Sequence, residues 1–483
     1  MQRKGDRMYK RATAFILSCI MCLSFVGCTD ESTQKIDNES GKIEALKYDF
    51  QEFELCGLWA PHDITEEAFK LYKDAGFNVC SFTNHDEMPR NTDTQYFIGS
   101  NRTLEALEIC KKVGFDVYIA YGASWFNIAN EGEEYFYNKP FTTHDQYAKY
   151  KDIIKGVHIN DEPNKETMTK LSDDALIEDF KKAFPNTKYM INLIPETAIT
   201  SRNYENYTEM LEHYGNDIMS KFDNPYICVD CYLCSNSYMV GANIVNNYNQ
   251  IANTAKKYNA ETSFILQSST GNEFWEEVTE ADIRQQAYLA LAFGADNLQY
   301  YCYSVPTTYN TDGTVESYLY NNCMLNQDRT PSQLYYDVKT VNTEIQSFAS
   351  AILAYDWQQS LGVSGTEKQT YRIGCIELDD NWERVKFKDA KHYVEAIGTH
   401  DLVISRFASD RYGESYMFVN FAEPSKETPE INKVEATFKD CRAVAVYGGE
   451  GYTGTPEIIE LDDKGLLKLE FAYGEGAFIV PIK

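Results

Sequence analysis

Two adjacent carboxylic acids, Asp161 and Glu162, follow a short apolar stretch in the segment IIKGVHINDEPN at 153–164. A strand that is buried on both faces reads as a nearly continuous run of Val, Ile and Leu, so polar residues that interrupt it either end the strand or act there. Alternation along a strand places His158, Asn160 and Glu162 on one face, toward the interior of the fold, and Asp161 on the other. A carboxyl group held by a rigid strand end is what general acid catalysis needs.

A second acidic residue would complete a pair for acid–base chemistry, and the sequence offers two candidates. Asp230 lies in the strand-like segment YICVDCYL, where a lone carboxyl group is expensive to bury without a purpose or a partner. Glu273 lies in the loop-like segment STGNEFWEE, which follows the strand-like TSFILQS. The sequence favours Asp230 as the partner of Glu162 and leaves Glu273 open.

Each of these acids also has a purely structural interpretation. Asp230 could be a hydrogen-bond acceptor inside the fold, and Glu273 could be a solvated loop residue. The pair at 161–162 could stabilise the start of the helix that follows Pro163, because carboxylates are favourable at helix N-termini.

Eight short apolar runs alternate with amphipathic, helix-like segments between about residues 53 and 350. The runs are FELCGLWA, NVCSFTN, DVYIAYG, IIKGVHIN, TKYMINLI, PYICVDCYL, TSFILQS and NLQYYCYS. Gly76 and Gly114 end two of the helical segments and predict left-handed caps before the next strand. Eight alternations predict a closed parallel (β/α)₈ barrel over 48–355, in which NDEP ends strand four and the functional residues lie at the C-terminal strand ends.

The segment PSQLYYDVKTVNTEIQSFASAI predicts the eighth barrel helix, and after about residue 355 the pattern changes to a period of two. The strand-like segments there are TYRIGCIEL, DLVISRFAS, SYMFVNFA, VEATF, RAVAVYG, LLKLEFA and GAFIVPI. They predict an antiparallel β-sandwich over 356–483. Structural support of the barrel is the favoured role for this domain, ahead of sugar binding.

The NDEP tetrad resembles the Asn-Glu-Pro strand end of the large barrel clan of glycoside hydrolases that includes many β-galactosidases, with Asp161 where the usual pattern has Asn. Further segments are similar to uncharacterised barrel proteins related to those hydrolases: Gly156 to Pro163, Val229 to Tyr232, the strand end at Gln267, and Gly294 to Ser304. The resemblance implies that Glu162 is the acid/base of a glycoside hydrolase. It also implies a nucleophile at the end of strand seven, where this sequence has Gln267 in place of a carboxylate.

Aromatic and polar side chains near the predicted strand ends fit a sugar, because rings pack on the apolar face of a pyranose while polar groups bind its hydroxyls. The candidates for substrate binding are Trp59, His62, Asn84, His85, Trp125, Asn160, Asp161, Asn192, Tyr232, Gln267, Tyr301 and Tyr303. Since the chain has 36 Tyr, packing is the commoner role of any one of them, and the two Trp are the stronger candidates. The predicted partner is a carbohydrate, with no metal or organic cofactor implied. Three-residue spacing sends Cys228, Cys231 and Cys234 to alternate faces of a strand, which argues against zinc.

The formal net charge of −28 is spread over the whole length, which argues against a nucleic-acid partner. Basic residues at the N-terminus precede the apolar stretch 14–26, which is short for a membrane span and typical of a signal sequence. It ends in FVGC, which resembles the lipobox of bacterial lipoproteins and implies lipidation of Cys28. We therefore expect a signal at 1–27, a flexible tether at 28–47 and an exported protein held at the bacterial cell surface only by its lipid anchor. A plain secretory signal or an uncleaved anchor is the alternative, and the sequence indicates no oligomeric state.

The favoured function is an exported glycoside hydrolase, and two rival functions belong to other classes. A non-catalytic glycan-binding barrel is credible because the carboxylate of strand seven is missing. The substrate-binding lipoprotein of an importer is the less favoured rival. Eight βα units that close into one barrel do not form the two hinged lobes that such a protein needs.

The lipobox generates a testable prediction. If Cys28 is lipidated, Cys28→Ala releases the protein into the medium or leaves an unprocessed precursor, because the acyl chains that hold it in the membrane are no longer attached. Cell fractionation and the mass of the N-terminal peptide measure this. Unchanged membrane retention together with normal processing would contradict the prediction.

Overall fold

The computed structural model describes residues 43–483 except 60, 83–100, 121–144, 233–243, 272–276, 311–313, 368–385, 422–430, 450 and 453. The predicted signal, Cys28 and most of the predicted tether lie outside the described residues, as does the strand-like segment TYRIGCIEL. Within the described part of the chain, none of the helices combines the length and apolar character needed to cross a membrane.

The first eight strands form a closed barrel in which neighbours in sequence are neighbours in space. They are β1 Glu54–Gly57, β2 Val79–Phe82, β3 Asp116–Ala120, β4 Ile154–Asp161, β5 Lys188–Leu193, β6 Tyr226–Asp230, β7 Glu261–Gln267 and β8 Asn297–Tyr301. β4 pairs in parallel with β3 and β5, and β1 closes the barrel against β8 from Glu54↔Asn297 to Gly57↔Tyr300. The predicted (β/α)₈ barrel is confirmed.

Helices alternate with these strands along the chain, and capping residues mark several of the helix ends. They are α1 Glu66–Asp74, α2 Asn101–Val113, α3 Lys165–Leu171, α4 Asp174–Ala183, α5 Tyr207–Asp217, α6 Ile244–Tyr258, α7 Glu280–Ala292 and α8 Gln333–Ile352. Gly76 and Gly114 have φ of +88° and +83°, which confirms the left-handed caps. Thr279 and Asp282 form a capping box at the start of α7. Short 3₁₀ helices at Asp145–Tyr150, Glu196–Arg202 and Met219–Lys221 lie in the connections.

The end of the barrel at which the strands begin is closed by an ion cluster around the buried Lys188. Lys188 Nζ lies 2.5 Å from Glu54 Oε2 and 3.0 Å from Glu261 Oε2, and it donates to the Tyr118 hydroxyl at 3.1 Å. Burial alone would lower the pKa of Lys188, but the charges of Glu261 and Glu54 raise it above its ordinary value. This end is filled, which leaves the carboxyl ends of the strands as the place for a site.

A hairpin of β9 Thr307–Tyr309 and β10 Val315–Tyr318 precedes α8, and two antiparallel sheets follow it. Their strands are β11 Asp356–Val363, β12 Tyr393–Gly398, β13 Leu402–Ser409, β14 Gly413–Asn420, β15 Asn432–Phe438, β16 Ala443–Tyr447, β17 Glu457–Glu460, β18 Leu466–Phe471 and β19 Gly476–Ile482. The order is β11-β13-β14-β19-β16-β17 in one sheet and β12-β15-β18 in the other. Inward residues such as Phe418 and Val434 join both sheets in one apolar core, which confirms the predicted antiparallel β-sandwich.

Helix α7 is the seam between barrel and sandwich, and every residue from Asp282 to Ala292 is buried. Tyr473 of the sandwich donates to Asp282 Oδ1 at 2.6 Å, and the Tyr288 hydroxyl accepts from the Gly449 backbone at 2.9 Å. Glu44–Lys483 is accordingly one compact unit.

The buried ion pair of α7 generates a stability prediction. Arg284 Nε lies 3.0 Å from Glu344 Oε2, and the two side chains are only 3% and 4% exposed. Arg284→Met leaves Glu344 buried beside no guanidinium and should lower the free energy of unfolding by about 3–5 kcal/mol. The matched control Lys339→Met breaks an exposed pair with Asp74 and should cost less than about 1 kcal/mol. Urea denaturation followed by fluorescence measures both, and equal losses would contradict the prediction.

Candidate active site

A β-bulge near the end of β4 decides which side chains face the barrel axis. His158 pairs with Met190 and Asn160 pairs with Ile191, so β4 has one extra residue between two consecutive residues of β5. Such a bulge reverses the alternation beyond it. His158 still faces inward, because its Nε2 lies 3.3 Å from Ser81 Oγ. Asn160 now lies beside Ile191 on the outer face, so its predicted place at the mouth was wrong.

Asp161 faces the barrel axis, the direction that simple alternation predicts for its neighbours Asn160 and Glu162. It pairs with Asn192 in the β4–β5 register, and Asn192 Nδ2 donates to Asp161 Oδ1 at 2.7 Å. The prediction that Asp161 points away from the axis was therefore wrong, and the bulge is the reason. Burial, together with the charges of Glu162 and Asp230, raises the pKa of Asp161 well above its usual range.

Glu162 lies one residue beyond the strand and has a left-handed backbone. Its φ is +44°, and its N–H donates to the Asn192 carbonyl at 2.9 Å, which fixes the turn at the rim of the barrel. The side chain of Asn164 caps α3 by accepting from the Thr167 N–H. Because α3 has its own cap, Glu162 is not needed to start that helix.

Arg202 reaches Glu162 from the connection after β5, with Nη2 2.5 Å from Oε2. The 3₁₀ helix that carries it is anchored at its other end on α6: the Glu196 N–H donates to Asn247 Oδ1 at 2.7 Å, and Glu196 Oε2 accepts from Asn246 at 2.8 Å. Arg202 was not among the site residues predicted from the sequence. The sequence signal for this residue is weak: Arg202 is the only arginine between residues 103 and 283.

Asp230 ends β6 and is 7% exposed. Burial and the charge of Glu162 raise the pKa of Asp230 well above its usual range, although hydrogen bonds from Asn192 and Tyr232 oppose the shift. Asn192 therefore contacts the carboxyl groups of both Asp161 and Asp230. Among the described residues, Asp161 Oδ2, Asn192 Oδ1 and Asp230 Oδ1 are buried acceptors with no hydrogen-bond donor. A ligand rich in hydroxyl donors would satisfy them.

An aromatic wall of Trp59, Tyr232, Tyr301 and Tyr320 lines the mouth beside the carboxyl groups. The ring centre of Tyr301 lies 4.8 Å from Trp59, 5.7 Å from Tyr232 and 6.0 Å from Tyr320. Tyr301 is the most exposed of the four. Tyr320 follows the β9–β10 hairpin and was missed by the sequence analysis. Such a wall can pack on the apolar face of a pyranose.

Three other predicted substrate residues have different surroundings. Tyr303 is fully buried, with its ring 4.8 Å from Tyr72 between barrel and helices, so its predicted role at the mouth was wrong. Gln267 is also fully buried and donates to the Ser269 carbonyl at 3.2 Å, so its amide supports the strand end and does not face a ligand. His62 lies after β1 with its ring 3.8 Å from Asp63.

Four predicted site residues lie outside the described residues and stay predictions: Asn84, His85, Trp125 and Glu273. Within the described ranges, no group of three or more His, Cys, Asp or Glu side chains is arranged to hold a metal ion. The structure thus brings together Asp161, Glu162, Asn192, Asp230 and Tyr232 from three adjacent strand ends.

A scan against protein-family models and a search of curated proteins give no match to this chain. Solved structures that are similar to it include a family 39 glycoside hydrolase from the gut symbiont Bacteroides cellulosilyticus WH2, at 14% identity and a TM-score of 0.46 over 89% of this chain and 80% of that one. A family 30 subfamily 8 xylanase from Clostridium acetobutylicum has 9% identity and a TM-score of 0.45 over 90% and 97%. A family 51 arabinofuranosidase from Xanthomonas axonopodis pv. citri has 9% identity and a TM-score of 0.42 over 88% and 92%. These scores are too low to bear on the reaction, and the barrel rests on its own strand pairing.

His158 generates a prediction on pH dependence. Burial lowers the pKa of His158 to about 4, so its ring should stay neutral between about pH 5 and 8. The unfolded chain takes up this proton below about pH 6.5, so stability from this source is lost as the pH falls from there toward 4. NMR titration, with His158→Gln to assign the signal, measures the midpoint. A midpoint above about 6 would contradict the prediction.

Proposed function

We propose that this protein is a glycoside hydrolase that cleaves O-glycosidic bonds at the mouth of its barrel. The observation that carries the proposal is the convergence of Glu162 and Asp230 around Asn192, beside the aromatic wall. Glycoside hydrolysis needs two carboxyl groups in different environments, one to give a proton and one to act at the anomeric carbon. Glu162 is paired with Arg202, whereas Asp230 is buried and has no cation within ion-pair distance among the described residues, so their environments differ in the required way.

The placement of these residues on β4 and β6 is compatible with that chemistry. Adjacent strands lie about 4.8 Å apart, so two strand ends separated by β5 are about 10 Å apart at the backbone. Side chains that converge from such positions can flank one bond at the roughly 5–9.5 Å that hydrolases of either stereochemistry use. Asn192 on β5 lies between them and links the carboxyl group of Asp230 to that of Asp161.

The substrate side of the proposal rests on the wall and on the buried acceptors. Tyr301 offers a ring face, and the unsatisfied oxygens of Asp161, Asn192 and Asp230 would accept hydrogen bonds from sugar hydroxyls. We also propose that the protein is exported and held at the cell surface through Cys28, as the lipobox-like FVGC supports.

A non-catalytic glycan-binding barrel is the second candidate, and one observation favours it. Strand seven ends in Gln267, whose amide donates to the Ser269 carbonyl, so the last residue of this strand is an amide and not a carboxylate. In this case the same mouth would bind sugars without cleaving them.

Hydrolysis of a panel of nitrophenyl glycosides and plant or bacterial oligosaccharides tests the proposal. The wild-type protein should release product, and Glu162→Gln and Asp230→Asn should each lower kcat by about 100-fold or more on unactivated substrates. Glu166→Gln is the matched control, because Glu166 is an exposed acid on α3 that pairs with Lys170. Binding of an oligosaccharide without hydrolysis would favour the non-catalytic barrel instead.

A further inference from the structure

We infer that Asp230 donates the proton to the departing glycosidic oxygen and that Glu162 acts at the anomeric carbon as its ionised partner. This reverses the assignment that the strand-four resemblance implied. The inference rests on the proposed function and adds the roles of the two carboxyl groups.

The contact of Glu162 with Arg202 is the first ground. The Arg202 guanidinium lies 2.5 Å from a carboxyl oxygen of Glu162, which is the geometry of a charge-assisted hydrogen bond to a carboxylate. The 3₁₀ helix that carries Arg202 is fixed on α6 through Glu196, so the cation is held in place. A group that must carry a proton at the start of the reaction is poorly placed beside it.

The surroundings of Asp230 are the second ground. Among the described residues, neither Asp230 nor Asp161 forms an ion pair with a cation. The groups around Asp230 among the described residues include the carboxyl groups of Glu162 and Asp161, the Asn192 amide, the Cys228 thiol and the phenols of Tyr207, Tyr232 and Tyr248. Burial raises the pKa of Asp230, and the charge of Glu162 raises it further, so both effects favour the protonated form of this carboxyl group. Its Oδ1, which has no partner among the described residues, is free to present that proton.

Asp161 is also buried, but its position does not suit the donor. It is adjacent to Glu162 on the same strand end, and its Oδ1 is held by Asn192 Nδ2 at 2.7 Å. Cleavage needs the donor and its partner on opposite sides of the anomeric carbon. Asp230 approaches from β6, two strands away, and fulfils that condition.

The proposed step balances without a further reagent. The Asp230 proton moves to the glycosidic oxygen as the bond from that oxygen to the anomeric carbon breaks, and the bonding pair leaves with the oxygen as an alcohol. The carbon then gains a bond from Glu162, forming an ester that water hydrolyses while Asp230 takes the water proton. Alternatively the carbon gains a bond directly from a water molecule whose proton goes to Glu162. Each route consumes one water per bond cleaved.

Leaving-group dependence separates the two roles. The wild-type protein, Asp230→Asn, Glu162→Gln and Asp161→Asn are assayed with a phenyl and a 2,4-dinitrophenyl glycoside of the sugar that the wild type hydrolyses best. Dinitrophenolate leaves without protonation, so a variant that lacks only the donor keeps most of its bond-cleaving rate on that substrate. In single-turnover measurements, Asp230→Asn should lose about 100-fold or more on the phenyl glycoside and less than about 10-fold on the other. Glu162→Gln should lose at least about 100-fold on both, and Asp161→Asn should not distinguish them.

If Glu162→Gln or Asp161→Asn loses activity on the phenyl glycoside but spares the dinitrophenyl glycoside, or if Asp230→Asn loses both equally, Asp230 is not the donor. Asp337→Asn is the matched control, since Asp337 is equally buried at 7% exposure but lies on α8, bonded to Gln333; it should behave as the wild type. Comparing two substrates within one variant removes the effect of reduced folding, which thermal melting also checks. A wild-type protein inactive on the whole panel contradicts the proposed function itself, and the role assignment with it.

Discussion

The side-chain amide of Asn192 is the contact on which the mouth of this barrel depends. It binds Asp161 and also the carboxyl group of Asp230, so one neutral group on β5 holds acids from the strands on both sides. Three carboxyl groups at neighbouring strand ends would repel one another strongly if all were charged, and Arg202 is the cation paired with Glu162 there. Glu162 thus has a cation beside it, while burial and the charge of Glu162 favour the protonated forms of Asp161 and Asp230.

The bulge in β4 gives this cluster its shape. Without the extra residue between His158 and Asn160, alternation would turn Asp161 toward the helices. The side-chain amide of Asn160 would then face Asn192 in its place. With it, Asp161 meets Asn192, and Glu162 passes beyond the strand into a left-handed turn toward Arg202. Backbone geometry of this kind is uncommon for Glu and persists only when its surroundings fix it, here through the Asn192 carbonyl. Two adjacent acids thus receive different environments from a single backbone irregularity.

The fold could be predicted from the sequence because its signals are periodic and repeated. Eight apolar runs separated by amphipathic segments allow few architectures, and glycines at 76 and 114 mark helix ends through a conformation that other residues rarely adopt. The site could be predicted only in part. Asp230 stood out because an acid inside a buried strand needs a reason. The bulge adds one residue without changing composition, so alternation misassigned both Asn160 and Asp161. Arg202 and Tyr320 come from connections, and only the tertiary fold brings them to the mouth.

The resemblance implied an acid at the end of strand seven, where the chain has Gln267. This residue is hydrogen-bonded to the helix that lies between the barrel and the sandwich. The N–H of Gln267 donates to Gln286 Oε1 at 2.8 Å, and its carbonyl accepts from Gln286 Nε2 at 3.2 Å. Gln286 lies on α7, beside the residues that Tyr473 of the sandwich binds. Neutral amide hydrogen bonds therefore hold the end of β7 against α7, the helix that packs between the barrel and the sandwich. A buried carboxylate at Gln267 would be desolvated there. Asp230 lies one strand nearer to Asn192, where an amide and a phenol already stabilise a carboxyl group. If the chain is a hydrolase, the described residues offer Asp230 on strand six as its second acid, because the end of strand seven carries an amide that is bonded to α7.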